Sequence, residues 1–322
     1  MHLPLICYRA KERVSHGLVL MWGAMRKEIE QAVALLAEKD PKALEQALEL
    51  LQGTVFSFSM KVCGQREDAE DTMQEVLVKS LPYLPRFDSP RALLVWLYRV
   101  AKNRCLMSRR RSKFAPKQEL SLDELMPDRQ ELEKLAKAGP LNPESLAIRS
   151  QQARKLREAI QKLPPQYRII LVMRDMEGLS DEEVGEITGL KPGNVRVRLH
   201  RARLYVRKEL ARQLPANGPA RTHGQQQASA AATTEKRPAS CKAMFAELSN
   251  YLEEQLDDSM CEQIEHHLEG CEPCKAFLAT LEATIEQLRS APGESPRRNV
   301  AEKARRELLS KFPATVSGLS EG

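Results

Sequence analysis

GLSDEEVGEITGLKPGNVRVRLHRAR, residues 178–203, decides how the rest of the chain is read. Two short helical patterns meet at a tight turn. Ser180 is a good N-cap and Glu183 stands three residues on, the spacing of a capping box. Leu179 before the cap can meet Val184 as a hydrophobic staple. Val184, Ile187 and Leu190 are placed to face a small core, and Gly189 suits the turn. Pro192 fits the first turn of a second helix, where no backbone donor is needed. Val195 and Leu199, four apart, can share the buried side of that helix. Arg196, Arg198, Arg201 and Arg203 surround it with positive charge.

This is a helix-turn-helix pattern. Its second helix would enter the DNA major groove, with flanking arginines on phosphates. The plainer alternative is a basic helical hairpin packed inside a soluble domain.

At 322 residues the chain is long enough for two or three domains. A formal net charge of +6 favours a polyanionic partner. The coarse pattern is almost entirely helical, so the expected class is all-α. No run of about twenty apolar residues exists, so no membrane span is expected, and the chain reads as cytoplasmic. Residues 1–24 read as an N-terminal arm or as a start-site artefact, with translation beginning at Met21 or Met25.

From about Met25 to Ala37 a short helix is expected. Asp40 and Pro41 read as N-cap and first position of a second helix, running to Cys63 and ended by Gly64. The next helix, about Glu67 to Leu81, starts with Glu67, Asp68, Glu70 and Asp71, charge that suits a helix N-terminus. Gln74 and Glu75 flank its apolar stripe of Met73, Val76, Leu77 and Leu81. The acids serve either as dipole complement or as a docking face for a basic protein surface; chemistry alone weighs these equally. After a loop holding Tyr83 and Phe87, Ser89 and Pro90 open a helix. It carries Trp96, Leu97 and Tyr98, then turns basic through Arg99, Lys102, Arg104, Arg109, Arg110 and Arg111. Aromatics at one end and arginines at the other suit stacked bases with a held backbone. Trp96 taken singly fits a core better.

These elements make a first domain at 25–112. Residues 113–149, with four prolines, read as a linker. A compact four-helix domain holding the helix-turn-helix follows at 150–214. Residues 215–240 are low in complexity and read as a flexible tether. A third module spans 241–290, and the tail at 291–322 carries one more helical pattern near Val300 to Phe312.

Of seven cysteines, Cys63 and Cys105 fall in apolar helical patterns, where buried, inert thiols are expected. Four others crowd between Cys241 and Cys274, which points to metal. His267, Cys271 and Cys274 have H-x3-C-x2-C spacing around one turn, a donor set that suits tetrahedral zinc. A structural site wants a fourth ligand. Cys241 and Cys261 are the candidates, with Cys241 preferred because an antiparallel helix would return it to the site. The alternative is a helical hairpin with reduced, unligated thiols.

Two stretches together carry a family resemblance. DAEDTMQEVLVKS at 68–80, followed by WLYRVAKNRCL at 96–106 and the arginines at 109–111, resembles region 2 of bacterial sigma-70-type sigma factors. Residues 163–203 resemble their region 4. With only a linker between, the layout resembles the extracytoplasmic-function group. The resemblance implies that Asp68, Glu70, Asp71, Gln74 and Glu75 dock on core RNA polymerase. It implies that Phe87, Trp96, Arg99, Lys102, Asn103, Arg104, Arg109 and Arg110 recognise and open the promoter minus-10 element. Lys191, Asn194, Arg196, Arg198, Arg201 and Arg203 would read the minus-35 element. Departures include Met107, Lys191, Asn194 and Val197, where aspartate, serine or threonine, threonine and serine are common. They put in doubt any promoter sequence borrowed from relatives. The third module is similar to the zinc-binding anti-sigma fold, with Cys241, His267, Cys271 and Cys274 matching as ligands of a structural Zn2+.

Tethered in cis, that module would contact the sigma domains at high effective concentration and occlude the polymerase-binding face. Two rival readings stand beside this one. The first is a helix-turn-helix regulator that never binds core polymerase. The second is an interaction protein whose zinc module partners another sigma factor. No nucleophile and base pair, phosphate loop or open metal site points to an enzyme.

Overall fold

The Asp40 carboxylate accepts bonds from the backbone N–H groups of Lys42 and Ala43 at 2.9 and 3.1 Å, so the second helix begins where its cap and proline place it. The computed structural model describes residues 27–38, 40–108, 119–127, 131, 146–212 and 239–317, and among these no strand occurs. Helix α1 covers 27–37, and α2 is Pro41–Cys63. Gly64 ends α2 at φ 77°, the left-handed conformation that a side chain disfavours. Helices α3 (Arg66–Ser80) and α4 (Pro90–Ser108) complete the first domain. Leu48, Leu51, Phe58, Met73, Leu77, Leu97 and Tyr98 fill its interior, where the Phe58 and Tyr98 rings stack at 4.3 Å.

One expectation is corrected in this interior. Cys63 and Cys105 are buried but are not two separate thiols: they form a disulfide that joins the end of α2 to α4, with Cα atoms 5.6 Å apart. Helix packing alone brings together residues 42 apart in sequence.

The next domain runs through α6 (Leu146–Lys162), α7 (Pro165–Leu171), α8 (Asp181–Thr188) and α9 (Pro192–Arg212). A single turn of π-helix, Val172–Met176, extends α7 and places Asp175 in the interior. At α8 the capping box is complete: Glu183 N–H donates to Ser180 Oγ at 3.2 Å, and Ser180 N–H donates to Glu183 Oε2 at 2.8 Å. Gly189 turns the chain at φ 77°. Gly185 is needed too, since a Cβ there would lie 2.7 Å from the Leu190 carbonyl oxygen.

The two domains share one continuous core rather than holding separate ones. Polar bonds cross between them. Glu177, just past the π-turn, accepts from Lys61 of α2 at 2.6 Å and from the Tyr98 hydroxyl of α4 at 2.7 Å. The buried Arg168 guanidinium donates to the Val62 carbonyl at 2.9 Å.

A second core belongs to the C-terminal module, α10 (Ala239–Leu252), α11 (Asp258–Gly270) and α12 (Glu272–Arg289), built around Phe245, Phe277 and Leu281. Residues expected only to link domains also join this core. Helix α5 (Leu122–Leu125) inserts Leu125 and Met126 beside Leu204 of α9, and Lys208 donates to the Glu124 carbonyl at 2.5 Å. The final helix, α13 (Arg298–Ser317), returns to lie on α2 and α3 of the first domain.

Candidate nucleic-acid interface and metal centre

Helix α9 has three faces, because residues advance about 100° each around an α-helix. Val195, Leu199, Ala202 and Val206 form the buried face. Arg196, His200, Arg203 and Arg207 form a second face, against the C-terminal module. Asn194, Val197, Arg198 and Arg201 form the third, which points outward.

The module-facing row is closely partnered. Arg203 has no exposed surface. Its guanidinium is bidentate on Asp175, at 2.8 and 2.5 Å, and also pairs with Glu253 of the module. Burial alone would lower its pKa, but the carboxylates of Asp175 and then Glu253 more than reverse that. Glu253 also accepts from Arg174 at 3.2 Å. Close by, Gln255 accepts from Arg196 at 3.4 Å. Arg207 lies over the Phe277 ring, 3.8 Å from its centroid, and donates to Thr280 at 3.1 Å. Its desolvation brings its pKa down to about 10. His200 Nδ1 meets Ser249 Oγ at 2.7 Å, while its buried Nε2 has no hydrogen-bond partner among the described residues. Desolvation, and then the charge of Arg203, hold His200 at about 4.

Of the residues expected to read the minus-35 element, Lys191 and Asn194 are exposed, and Arg198 and Arg201 are half-buried on the outward face. Arg196 lies at the edge of the module. Arg203 departs from the expectation. The π-turn puts Asp175 under α9, and the Arg203 side chain turns inward to meet it rather than outward to a phosphate.

The minus-10 candidates lie on α4 and before it. Phe87 and Tyr83 flank Trp96, with centroids 6.0 and 5.7 Å away, and Trp96 is half-buried rather than enclosed. Arg99 donates to the Glu186 carbonyl at 2.9 Å, and Lys102 to the Ile187 carbonyl at 2.8 Å. Both carbonyls belong to the last turn of α8, the negative end of its dipole. Burial, and then Arg99 beside it, hold the Lys102 pKa below its ordinary value. Asn103 is exposed, and Arg104 pairs with Glu75 at 2.6 Å. Arg109 and Arg110 lie outside the described residues.

Among the acids of α3, Asp71 is exposed, while Asp68 and Gln74 are half-buried. Glu70 is 5% exposed, because the tail covers it: Arg297 donates to it from both backbone N and Nε at 3.2 Å. Arg297 also pairs with Glu67 at 2.9 Å, and Arg305 of α13 with Glu45 of α2 at 3.1 Å.

His267, Cys271 and Cys274 converge where α11 meets α12, with their ligand atoms all within 4.8 Å of one another. Donors on one tetrahedral zinc lie roughly 3.3–3.8 Å apart. His267 Nε2 and Cys274 Sγ are at 3.4 Å, and Cys274 is buried. The donor set therefore fits zinc. The backbone of Cys241 lies in the first turn of α10, and its side chain is outside the described residues. Cys261 is a half-buried free thiol and does not join the group.

Sequence reasoning missed the partners of these residues: Glu253, Ser249, Glu186 and Arg297. None has a motif signal. Each matters because of what packing puts opposite it. No helix among the described residues is long and apolar enough to cross a membrane.

Comparison with known proteins agrees with this layout. Residues 48–114 match the Sigma-70 region 2 family, residues 153–205 the Sigma-70, region 4 family, and residues 241–275 a zinc-finger family. The chain is 30% identical over 189 residues to the ECF RNA polymerase sigma factor SigD of Mycobacterium tuberculosis (strain ATCC 25618 / H37Rv), a match covering 57% of this chain and 84% of that protein. It is 26% identical over 186 residues to the ECF RNA polymerase sigma factor SigW of Bacillus subtilis (strain 168), covering 58% of this chain and 98% of SigW. It is 30% identical over 158 residues to the RNA polymerase sigma factor YlaC of the same organism, covering 49% of this chain and 86% of YlaC.

Proposed function

Because this chain belongs to the ECF RNA polymerase sigma factors, we propose that it directs core RNA polymerase to promoters and that its own C-terminal third holds it closed until needed. Region 4 reads the minus-35 element through α9, with Lys191, Asn194, Arg198 and Arg201 on its open side and Arg196 on the side that the module covers. Region 2 recognises and opens the minus-10 element through α4 and the loop before it. The acids of α3 dock on polymerase.

One observation carries the closed state. The Arg196, His200, Arg203 and Arg207 face of the recognition helix is occupied by the zinc module. Two further contacts agree with it. Arg99 and Lys102 of α4 are bonded to the end of α8, and Arg297 of the tail lies on Glu67 and Glu70. In the closed state α4 packs on the end of α8, and one of the polymerase-docking acids, Glu70, is shared with the tail. Each of these contacts reforms readily once broken, because one chain contributes both sides at high local concentration.

Zinc would be held by His267, Cys271 and Cys274, with Cys241 as the fourth ligand. A closed N/S site supplies folding energy and no open coordination position. Its role here is to keep α11 and α12 paired, so that α10 and α12 present a fixed surface to α9.

The test is promoter-specific transcription with purified core polymerase, comparing the full chain with a truncation ending at Leu214. Initiation by the truncation and weak initiation by the full chain is the expected result. Equal activity from both would remove the closed state and leave the sigma function. No initiation and no core binding by either would remove the sigma function for this chain.

A further inference from the structure

Val197 is the most exposed of the large apolar side chains in the described residues, at 51%. A single exposed valine on a protein surface ordinarily carries no meaning. The position of this one does. It sits on the outward face of α9, one turn after Asn194 and one turn before Arg201, with Arg198 alongside. The buried face and the module-facing row occupy the other two sides of the helix, so Val197 is not part of either packing surface. Arg198 and Arg201 follow it on the same face, so a lone apolar side chain borders two basic ones. At the start of the same helix, Gly193 has open space where a Cβ would stand, so another molecule can come close to the backbone there.

A β-branched residue on a solvent-facing helix position is a poor local choice. It loses side-chain freedom against the preceding turn and gains nothing from packing, whereas Ala, Lys or Glu would favour the helix. An apolar side chain inside a basic, groove-sized stripe has one natural counterpart on duplex DNA. In the major groove thymine presents a C5-methyl group beside its O4 acceptor, and apolar side chains distinguish it by direct contact. The two arginines that follow it would hold the phosphates or neighbouring guanines that fix the register.

We propose that Val197 is a specificity-determining residue that reads a thymine methyl group in the minus-35 element. The inference rests on the promoter-recognition reading and adds to it a base identity at one position. The contact is van der Waals and apolar, so it is made by the methyl group alone and is indifferent to the hydrogen-bonding edge of the base.

The test uses holoenzyme assembled from the full chain and core polymerase, with promoter fragments randomised across the minus-35 element. Selection is expected to enrich thymine at one position. Replacing that thymine by deoxyuridine removes only the methyl group and is expected to weaken wild-type binding about 4-fold, the worth of one buried methyl. Val197→Ala and Val197→Ser are expected to bind the two fragments equally. Val197→Thr, which keeps one methyl of the same shape, is expected to retain discrimination. All three substitutions fall on a solvent-facing position and leave the helix core untouched. A selected element bound with no thymine-to-deoxyuridine difference, or with the same difference in Val197→Ala, overturns the inference and leaves promoter recognition standing. Absence of any sequence-dependent selection both by the full chain and by the truncation ending at Leu214 overturns promoter recognition, and the inference with it.

Discussion

Arg203 in the recognition helix and Glu253 in the C-terminal module form an ion pair across the boundary between the two, and Arg203 has no exposed surface. Asp175 holds the same guanidinium from within region 4. Arg203 therefore has one partner that travels with it and one that leaves if the module lifts away. That asymmetry separates what stabilises region 4 from what would close it.

Glu253→Gln removes the leaving partner and keeps the shape. Arg203 retains Asp175, so region 4 stays folded, while closure weakens by about 2 kcal/mol, the order expected for a buried charge-assisted bond. Promoter-DNA affinity of the full chain should rise by roughly 10- to 30-fold. The truncation ending at Leu214 lacks the module and sets the upper limit. Equal affinity of wild type and variant would show that this pair does not hold the module.

Asp175→Asn removes the resident partner instead. Although burial opposes ionisation of Asp175, Arg203 and its neighbours hold the pKa below its ordinary value. Losing that charge leaves Arg203 buried and under-compensated, at a cost of about 3–5 kcal/mol. The loss should appear in denaturant unfolding of the truncation as well as the full chain. The truncation does not contain residue 253, so Glu253→Gln can act only in the full chain, and the two variants form a direct contrast.

The proposed closure is expected to depend on pH through His200. In the closed form its pKa is about 4, and once released to water it returns towards 6.5. A depressed histidine pKa means the closed form requires the neutral ring. Closure is therefore fully favoured above about pH 6.5 and weakens as pH falls towards 4. Between about pH 7 and pH 5 the closed-to-open ratio should fall about 20-fold from this group alone. Hydrogen exchange of the α10 amides across that range, compared with His200→Asn, measures it; a flat profile in the wild type would assign the interface to other groups.

Zinc removal should unfold the α11–α12 turn, because the ligands contribute folding energy through the metal. One zinc per chain is expected by atomic emission. A strong chelator should lower helical circular dichroism and raise promoter binding of the full chain, and Cys274→Ser should reproduce both effects without chelator. Retention of DNA-binding behaviour after complete metal loss would separate the metal from closure.

Arg297→Ala should remove the two side-chain bonds, at 3.2 and 2.9 Å, by which the tail holds the buried Glu70 and the exposed Glu67 of α3, leaving the backbone N–H bond to Glu70. Core-polymerase affinity of the full chain should rise several-fold, since partly exposed pairs contribute up to about 1 kcal/mol each. DNA binding by the recognition helix should be unaffected, which distinguishes the tail's contribution from that of the module.

Much of this protein is legible in its residues because the signals are local. Asp40 with Pro41, Ser180 with Glu183, and Gly189 each act on backbone within a turn of helix, so they specify helix starts and the turn wherever the helices later pack. The same holds for the H-x3-C-x2-C turn, whose three donors are brought together by one helix end and the next helix start. Other features have no local cause. The Cys63–Cys105 bridge joins two apolar helical patterns that each read as an ordinary buried cysteine, and only the α2–α4 contact makes them neighbours. Leu125 and Met126 lie in a stretch whose prolines and acids read as a linker, yet they fill a gap between α9 and the module. Arg203 looks like its neighbours Arg198 and Arg201 in sequence. Its different fate depends on the π-turn that brings Asp175 beneath α9 and on the module that supplies Glu253.

The chain's sequence by itself determined most of its helices, its helix-turn-helix and its candidate metal turn, because caps, prolines, glycines and short-range ligand spacing act over a few residues. Tertiary structure alone decided which basic residues face outward and which are bound by the protein's own acids. A helix offers every side chain the same local environment, and only the surfaces packed against it decide whether a guanidinium meets water, a phosphate or a carboxylate.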